Sequence, residues 1–245
     1  MKSAPIVLLS GWAHGEQALG PLTELGTPGP IVCLSLASSD VGVEAEGVST
    51  YALTVSNHLD RWGEPGWLIG WSTGGVVALE TAARYPEKVA GLVLLSATAR
   101  FCSADGYPSG VKPGLLRAMI RGLMKNPGAV ISDFISRALH PLEVGPEVLA
   151  RRTQEALSEG PASLLRGLQY LAAADLRPDL SSIFLPCLII HGMKDMIVPW
   201  EAGRYLASNL AHSRIELLPS TGHCLMDQCG GARLVRLIAQ FWEEL

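Results

Sequence analysis

A chain that carries Gly70-Trp71-Ser72-Thr73-Gly74 between two apolar runs has few folds open to it. Upstream, Trp67-Leu68-Ile69 reads as the end of a buried strand. Downstream, Val76-Val77-Ala78-Leu79-Glu80-Thr81-Ala82-Ala83 reads as a helix packed by its small and branched residues. A strand that enters a helix through so sharp a turn forces the middle residue into a strained conformation. Only small neighbours fit at its flanks, hence the two glycines. The pattern is the G-x-S-x-G nucleophile elbow, which lifts a serine hydroxyl above a sheet edge with a helix N-terminus aimed at it. A serine nucleophile, and therefore an enzyme, is the first expectation.

The rest of the chain supplies the sheet. Strand-like runs at 5–9, 31–35, 66–70, 89–95, 186–191 and 214–218 alternate with helical patterns near 48–61, 73–84, 200–210 and 230–243. This order predicts a mostly parallel sheet flanked by helices. Pro86 and the Pro-Glu-Lys turn close the helix after the elbow. Residues 100–182 break the alternation. No strand is evident there, whereas Leu115, Leu116, Met119, Ile120, Leu123 and Met124 recur at helical spacing, as do Val130, Ile131, Phe134, Ile135, Ala138 and Leu139. The expectation is a core of residues 1–99 and 183–245 with a helical lid over 100–182.

Composition narrows the setting. The formal charge of −4 gives no basis for nucleic-acid binding. Five cysteines without a C-x-x-C pair support neither a disulfide framework nor a zinc site, so no metal is expected. The first apolar run, Pro5-Ile6-Val7-Leu8-Leu9, is too short for a signal-peptide core. No stretch approaches the roughly 18 continuous apolar residues of a membrane span. A soluble, cytoplasmic monomer is expected.

A serine at its free pKa needs a base, and the base needs an orienting acid. In the α/β-hydrolase fold these follow in the order Ser, Asp or Glu, His. Asp195 sits just past the strand at 186–191, and His223 follows in Ser220-Thr221-Gly222-His223, after the next strand. Ser72, Asp195 and His223 thus agree in type, order and spacing. Asp175, Asp179 and Asp227 are poorer acids by position, and His191 reads as a packed strand-end residue. His14, His58, His140 and His212 lack a strand-edge context. An oxyanion hole needs two backbone N–H donors. Thr73, directly after the nucleophile, supplies one, and Trp12 in the Ser10-Gly11-Trp12 loop supplies the other. Hydrolases of this fold usually carry His-Gly there, and Ser10 takes the histidine's place.

Longer stretches are more particular than the elbow: Leu-Leu-Ser-Gly-Trp (8–12), Gly-Trp-Ser-Thr-Gly-Gly (70–75) and Tyr-Pro-Glu-Lys-Val (85–89). With them go Ser96-Ala97-Thr98-Ala99-Arg100-Phe101-Cys102-Ser103 and Tyr107-Pro108-Ser109-Gly110-Val111-Lys112-Pro113. These stretches carry a resemblance of the chain as a whole to the BioH-type pimeloyl-[acyl-carrier protein] methyl ester esterases of biotin synthesis. It implies a cofactor-free serine carboxylesterase acting on an acyl chain borne by acyl-carrier protein. It also implies that a stretch beginning at Phe134 (Phe134, Ile135, Ser136, Arg137, Ala138) lines the pocket, although Phe134 reads equally as a core aromatic. The family's Asp-x-x-Gly-x-Gly-x-Ser after the second strand is replaced by Leu36-Ala37-Ser38-Ser39-Asp40. A general carboxylesterase or C–C bond hydrolase, and more remotely a non-catalytic binding protein on this fold, are the alternatives.

Charge bears on the partner. Residues 100–180 hold ten Lys/Arg against eight Asp/Glu, so this part is basic relative to an acidic remainder. Arg117, Arg121 and Lys125 recur every four residues opposite an apolar stripe, with Arg151 and Arg152 as a second patch. Such faces suit an acidic carrier protein, or are simply solvated.

Overall fold

The computed structural model describes residues 4–26, 29–36 and 48–245. Six parallel strands, β1 (Ile6–Leu9), β2 (Ile31–Leu34), β3 (Gly66–Trp71), β4 (Val89–Leu95), β5 (Cys187–Gly192) and β6 (Ser213–Leu218), form one sheet in the order β2-β1-β3-β4-β5-β6. Every strand expected from the sequence is present, to within a residue at each end. Alternate residues serve opposite faces, as the pleat requires. Ile6, Leu8, Trp67, Ile69, Trp71, Val93 and Leu188 enter one core. Val7, Leu9, Leu68, Leu92, Leu94 and Ile189 enter the other. Burial on both faces is why β1, β3, β4 and β5 read as continuous apolar runs, whereas the edge strands β2 and β6 are half-buried.

Helices α1 (Thr50–Asp60), α2 (Thr73–Arg84) and α7 (Trp200–Asn209) cover the second face. The last helix, α9 (Gly231–Glu243), covers the first through Leu234, Ile238 and Phe241, and the short α8 (Leu225–Gln228) precedes it. A 3₁₀ segment, Glu16–Glu24, packs beside α9 and was not foreseen.

Between β4 and β5 the chain runs through α3 (Pro113–Lys125), α4 (Pro127–Leu139), α5 (Pro146–Leu157) and α6 (Pro161–Ala173). Each begins with proline, whose fixed φ and missing N–H suit the first helical turn. The entry and exit of this segment are joined. Arg100 and Asp175 form an isolated antiparallel bridge and an ion pair, Arg177 binds Asp175 at 2.7 Å, and Leu176 N–H donates to the Ala99 carbonyl at 2.9 Å.

The strand order reverses direction around β1 and β3, so the loops leaving their carboxyl ends open a crevice. The loop after β1 is Ser10–His14, and the turn after β3 holds Ser72.

Candidate active site

Ser72 follows β3 and stands before α2 with φ 56° and ψ −118°, a strained backbone for any residue bearing a side chain. Its N–H is held by the Leu95 carbonyl at 2.8 Å. The flanking glycines are sterically required. A Cβ on Gly70 would lie 2.4 Å from the Gly74 carbonyl oxygen, and one on Gly74 would lie 2.2 Å from that of Leu9. No larger residue fits either place without moving backbone.

Asp195 lies in the loop after β5, fully buried. Its Oδ1 accepts the backbone N–H groups of Ile197 and Val198, both at 2.8 Å. Its Oδ2 accepts His223 Nδ1–H at 2.7 Å. Burial pushes this carboxyl up, but His223 and His191 beside it prevail, and it rests well below the usual carboxylate range. Asp195 is therefore an anion, and His223 carries its proton on Nδ1. His223 Nε2 is buried with no hydrogen-bond partner among the described residues, Ser72 included. The ring packs against Trp71, centroids 5.6 Å apart, and the Trp71 indole N–H donates to the His223 carbonyl at 3.0 Å.

The acid and base loops are stitched together, Lys194 N–H donating to the Thr221 carbonyl at 2.9 Å. The base loop is also stitched to α4, with Cys224 N–H on the Ala138 carbonyl at 3.2 Å and the Gln228 amide on the Leu139 carbonyl at 2.8 Å. His191, as expected, is a buried strand-end residue, its Nε2–H donating to the Val198 carbonyl at 3.0 Å. The rival acids are engaged elsewhere: Asp175 with Arg100 and Arg177, Asp179 with Arg84, and Asp227 with Arg152.

Thr73 and Trp12 present backbone N–H groups that meet no acceptor among the described residues. Trp12 is held in detail. Its indole N–H donates to the Leu164 carbonyl of α6 at 2.7 Å, and its ring meets Phe134 of α4 edge-on at 4.7 Å. Its carbonyl accepts His14 Nδ1–H at 2.9 Å. His14 was passed over in the sequence because it follows no strand directly. Burial lowers its pKa to about 4, so its ring is neutral, and it packs on Trp71 and Phe134. The Ser10 hydroxyl is buried without a partner among the described residues.

A cleft of about 780 Å³ opens from Ser72, Trp12 and Thr73 between α3, α4 and α6, walled by Leu116, Met119, Phe134, Leu168 and Leu171. Lys112, Asp133 and Arg137 are its charged lining apart from Asp195. Of the stretch expected to line it, Phe134 and Arg137 do. Ile135 faces a separate, more polar cleft, Ser136 is exposed, and Ala138 is buried beneath the helix. Successive helical residues point about 100° apart, so one wall takes only some of five.

The two basic patches also differ. Arg117, Arg121 and Lys125 are exposed and make no ion pair among the described residues. Arg151 is paired with Glu155 at 3.0 Å and Arg152 with Asp227, so the second patch offers little free charge. On the stripe opposite, Leu116 and Leu123 are buried, whereas Leu115 and Met124 are exposed. Residues 37–40, where the family's glycine-rich motif is missing, lie outside the described residues. Among the described residues no group of three His, Cys, Asp or Glu could hold a metal, and no helix is long and apolar enough to cross a membrane.

A strained serine after β3, a buried Asp–His pair after β5 and β6, and a parallel sheet define a class: the chain belongs to the α/β-hydrolase family, whose model matches residues 6–237. The solved structure of an esterase from Exiguobacterium antarcticum superposes with a TM-score of 0.84 at 21% identity, over 98% of this chain and 91% of that one. Within the family the chain falls with the pimeloyl-[acyl-carrier protein] methyl ester esterases. It is 32% identical to that of Neisseria meningitidis serogroup C, covering 89% of this chain and 86% of the relative. With that of Aromatoleum aromaticum it shares 29% over 91% and 92% of the two chains.

Proposed function

We propose that the protein is a cytoplasmic serine carboxylesterase that hydrolyses the methyl ester of pimeloyl-[acyl-carrier protein], a step of biotin synthesis. The observation that carries the chemistry is the buried Asp195–His223 pair with a bare Nε2, its acid lining the same cleft as a serine in an elbow conformation. Kinship with esterases of that name carries the substrate.

Ser72 attacks the ester carbonyl while His223 Nε2 takes its proton. The Thr73 and Trp12 N–H groups receive the tetrahedral oxyanion, and the positive end of α2 adds to their field. His223 then protonates departing methanol, and the acyl-enzyme is opened by water that His223 deprotonates. Asp195 holds the Nδ1–H tautomer and stabilises the imidazolium without taking the proton. No step calls for a cofactor.

The apolar cleft between α3, α4 and α6 suits a methylene chain, and the helical segment acts as a lid over it. The carrier docks on the exposed Arg117, Arg121 and Lys125 of α3, the helix whose other residues wall the cleft. Charge-assisted contacts of this kind favour an acidic partner and its phosphopantetheine phosphate.

The test is demethylation of pimeloyl-[acyl-carrier protein] methyl ester by purified protein, followed by gel shift of the carrier, with Ser72→Ala beside it. Rapid conversion lost in a folded Ser72→Ala variant is the expected result. Conversion that survives the substitution overturns the nucleophile. Hydrolysis of p-nitrophenyl esters without conversion of the carrier-borne ester overturns the substrate and leaves a general carboxylesterase.

A further inference from the structure

The loop that carries the Trp12 N–H is held in a conformation it would not keep by itself. Ala13 has φ 58°, a left-handed value that is strained for a residue with a Cβ. The turn inside the loop, His14 N–H to the Gly11 carbonyl, is long at 3.3 Å. Ser10, where such loops usually have histidine, contributes no hydrogen bond through its buried hydroxyl. Strain of this kind persists only where the surroundings over-determine it.

The surroundings that do so come from α6. The Trp12 indole N–H reaches 152 residues along the chain to the Leu164 carbonyl. The indole lies on the helix where Gly167 has no side chain: a Cβ there would stand 2.5 Å from Trp12 Cδ1 and 3.2 Å from Nε1. One turn further, Tyr170 donates its hydroxyl proton to Glu80 of α2 at 2.8 Å. Helix α6 therefore grips the Trp12 loop at one point and the elbow helix, which begins at Thr73, at another.

We propose that α6 sets the distance between the two oxyanion donors: the Leu164 carbonyl and the bare Cα of Gly167 are positioning elements that act through the Trp12 indole. This rests on Thr73 and Trp12 being the oxyanion donors of the esterase reading. Because the oxyanion exists only beyond the ground state, loss of this alignment lowers kcat and leaves KM nearly unchanged.

The experiment uses the full chain with p-nitrophenyl butyrate, a boronic acid that mimics the tetrahedral state, and a fluorophosphonate that labels reactive serine. In Gly167→Ala the new methyl displaces the indole by about 1 Å, and kcat falls about 30- to 100-fold. KM stays within about twofold, and boronate affinity falls with kcat. Trp12→Phe, which keeps a ring against Phe134 but loses the indole N–H, shows the same split. The Gly167→Ala, Trp12→Ala double variant is no slower than Trp12→Ala, since the indole atoms that the methyl meets, Cδ1, Nε1 and Cγ, are then gone. If Gly167→Ala does not fold, Trp12→Phe decides alone. The proposal is overturned if kcat of the folded variants stays within about threefold, if the loss falls on KM, or if the two substitutions are additive. Absence of labelling at Ser72 in the unsubstituted protein overturns the esterase reading itself. Labelling of Ser72 with undiminished kcat in the variants overturns only the role of α6.

Discussion

Replacing Asp195 by asparagine tests how the base is prepared. The carboxylate is fully buried, with Oδ1 accepting two backbone N–H groups at 2.8 Å and Oδ2 facing His223 Nδ1 at 2.7 Å. Asparagine has one acceptor and one donor for these positions. Its oxygen must stay with the Ile197 and Val198 N–H groups, because the flipped amide would lose both bonds and oppose donor to donor, a cost of about 3 kcal/mol. The amide N–H₂ then faces His223, so Nδ1 becomes an acceptor and the proton moves to Nε2, the atom that must take the Ser72 proton. Reaching the productive tautomer requires the flip, about two orders of magnitude in rate. Loss of the anion beside the imidazolium removes a charge-assisted bond worth about 2–3 kcal/mol more. Together these predict a fall in kcat of about 10⁴. The assay is p-nitrophenyl ester turnover at pH 7.5, with thermal melting to show that the isosteric change leaves the fold intact. A folded variant that retains more than about a thirtieth of the parental kcat refutes the tautomer argument.

Two other variants test charge in different places. Reversing Arg117 and Arg121 to glutamate is expected to raise KM for the carrier-borne ester about tenfold or more, leaving p-nitrophenyl butyrate kinetics unchanged; equal effects on both substrates contradict docking on α3. Glu159, one of whose oxygens is buried without a partner, has its pKa raised by burial from 4.5 to about 7. The folded state thus binds a proton more tightly than the unfolded chain, so stability is undiminished below pH 4.5 and is lost as pH rises through 7. At pH 8.5 the cost is about 2 kcal/mol, after allowing for the water that reaches part of the side chain. Glu159→Gln should therefore match the parent in urea unfolding at pH 4.5 and exceed it by that amount at pH 8.5. A difference that does not change with pH disproves the assignment.

The strands were readable because parallel strands buried on both faces carry unbroken apolar runs, such as Leu92–Leu95 and Leu188–Ile190. Ser72, Asp195 and His223 were readable because each stands at a fixed offset from such a run. Helices α5 and α6 were left undelimited, although Pro146 and Pro161 mark their first turns as Pro113 and Pro127 mark those of α3 and α4. What no local pattern could show are contacts between distant segments. Arg152 looks like a free cation until Asp227, 75 residues away, is placed beside it. Gly167 looks like a weak point in a helix until the Trp12 ring is seen lying on it. His14 follows no strand directly, and only the assembled fold sets it between Trp71 and Phe134.

The bridge between Arg100 and Asp175 has an evolutionary consequence. Where the two ends of a long excursion are clasped at its neck, the pairing of the two strands on either side no longer depends on the length of what lies between them. Cleft-facing residues of α3 to α6, apart from those that hold Trp12 and the base loop, can change while β4 and β5 stay paired from Leu92 and Cys187 to Leu95 and Ile190. Selection can then rework the wall that meets an acyl group, while the sheet edge that bears Ser72, Asp195 and His223 keeps its shape.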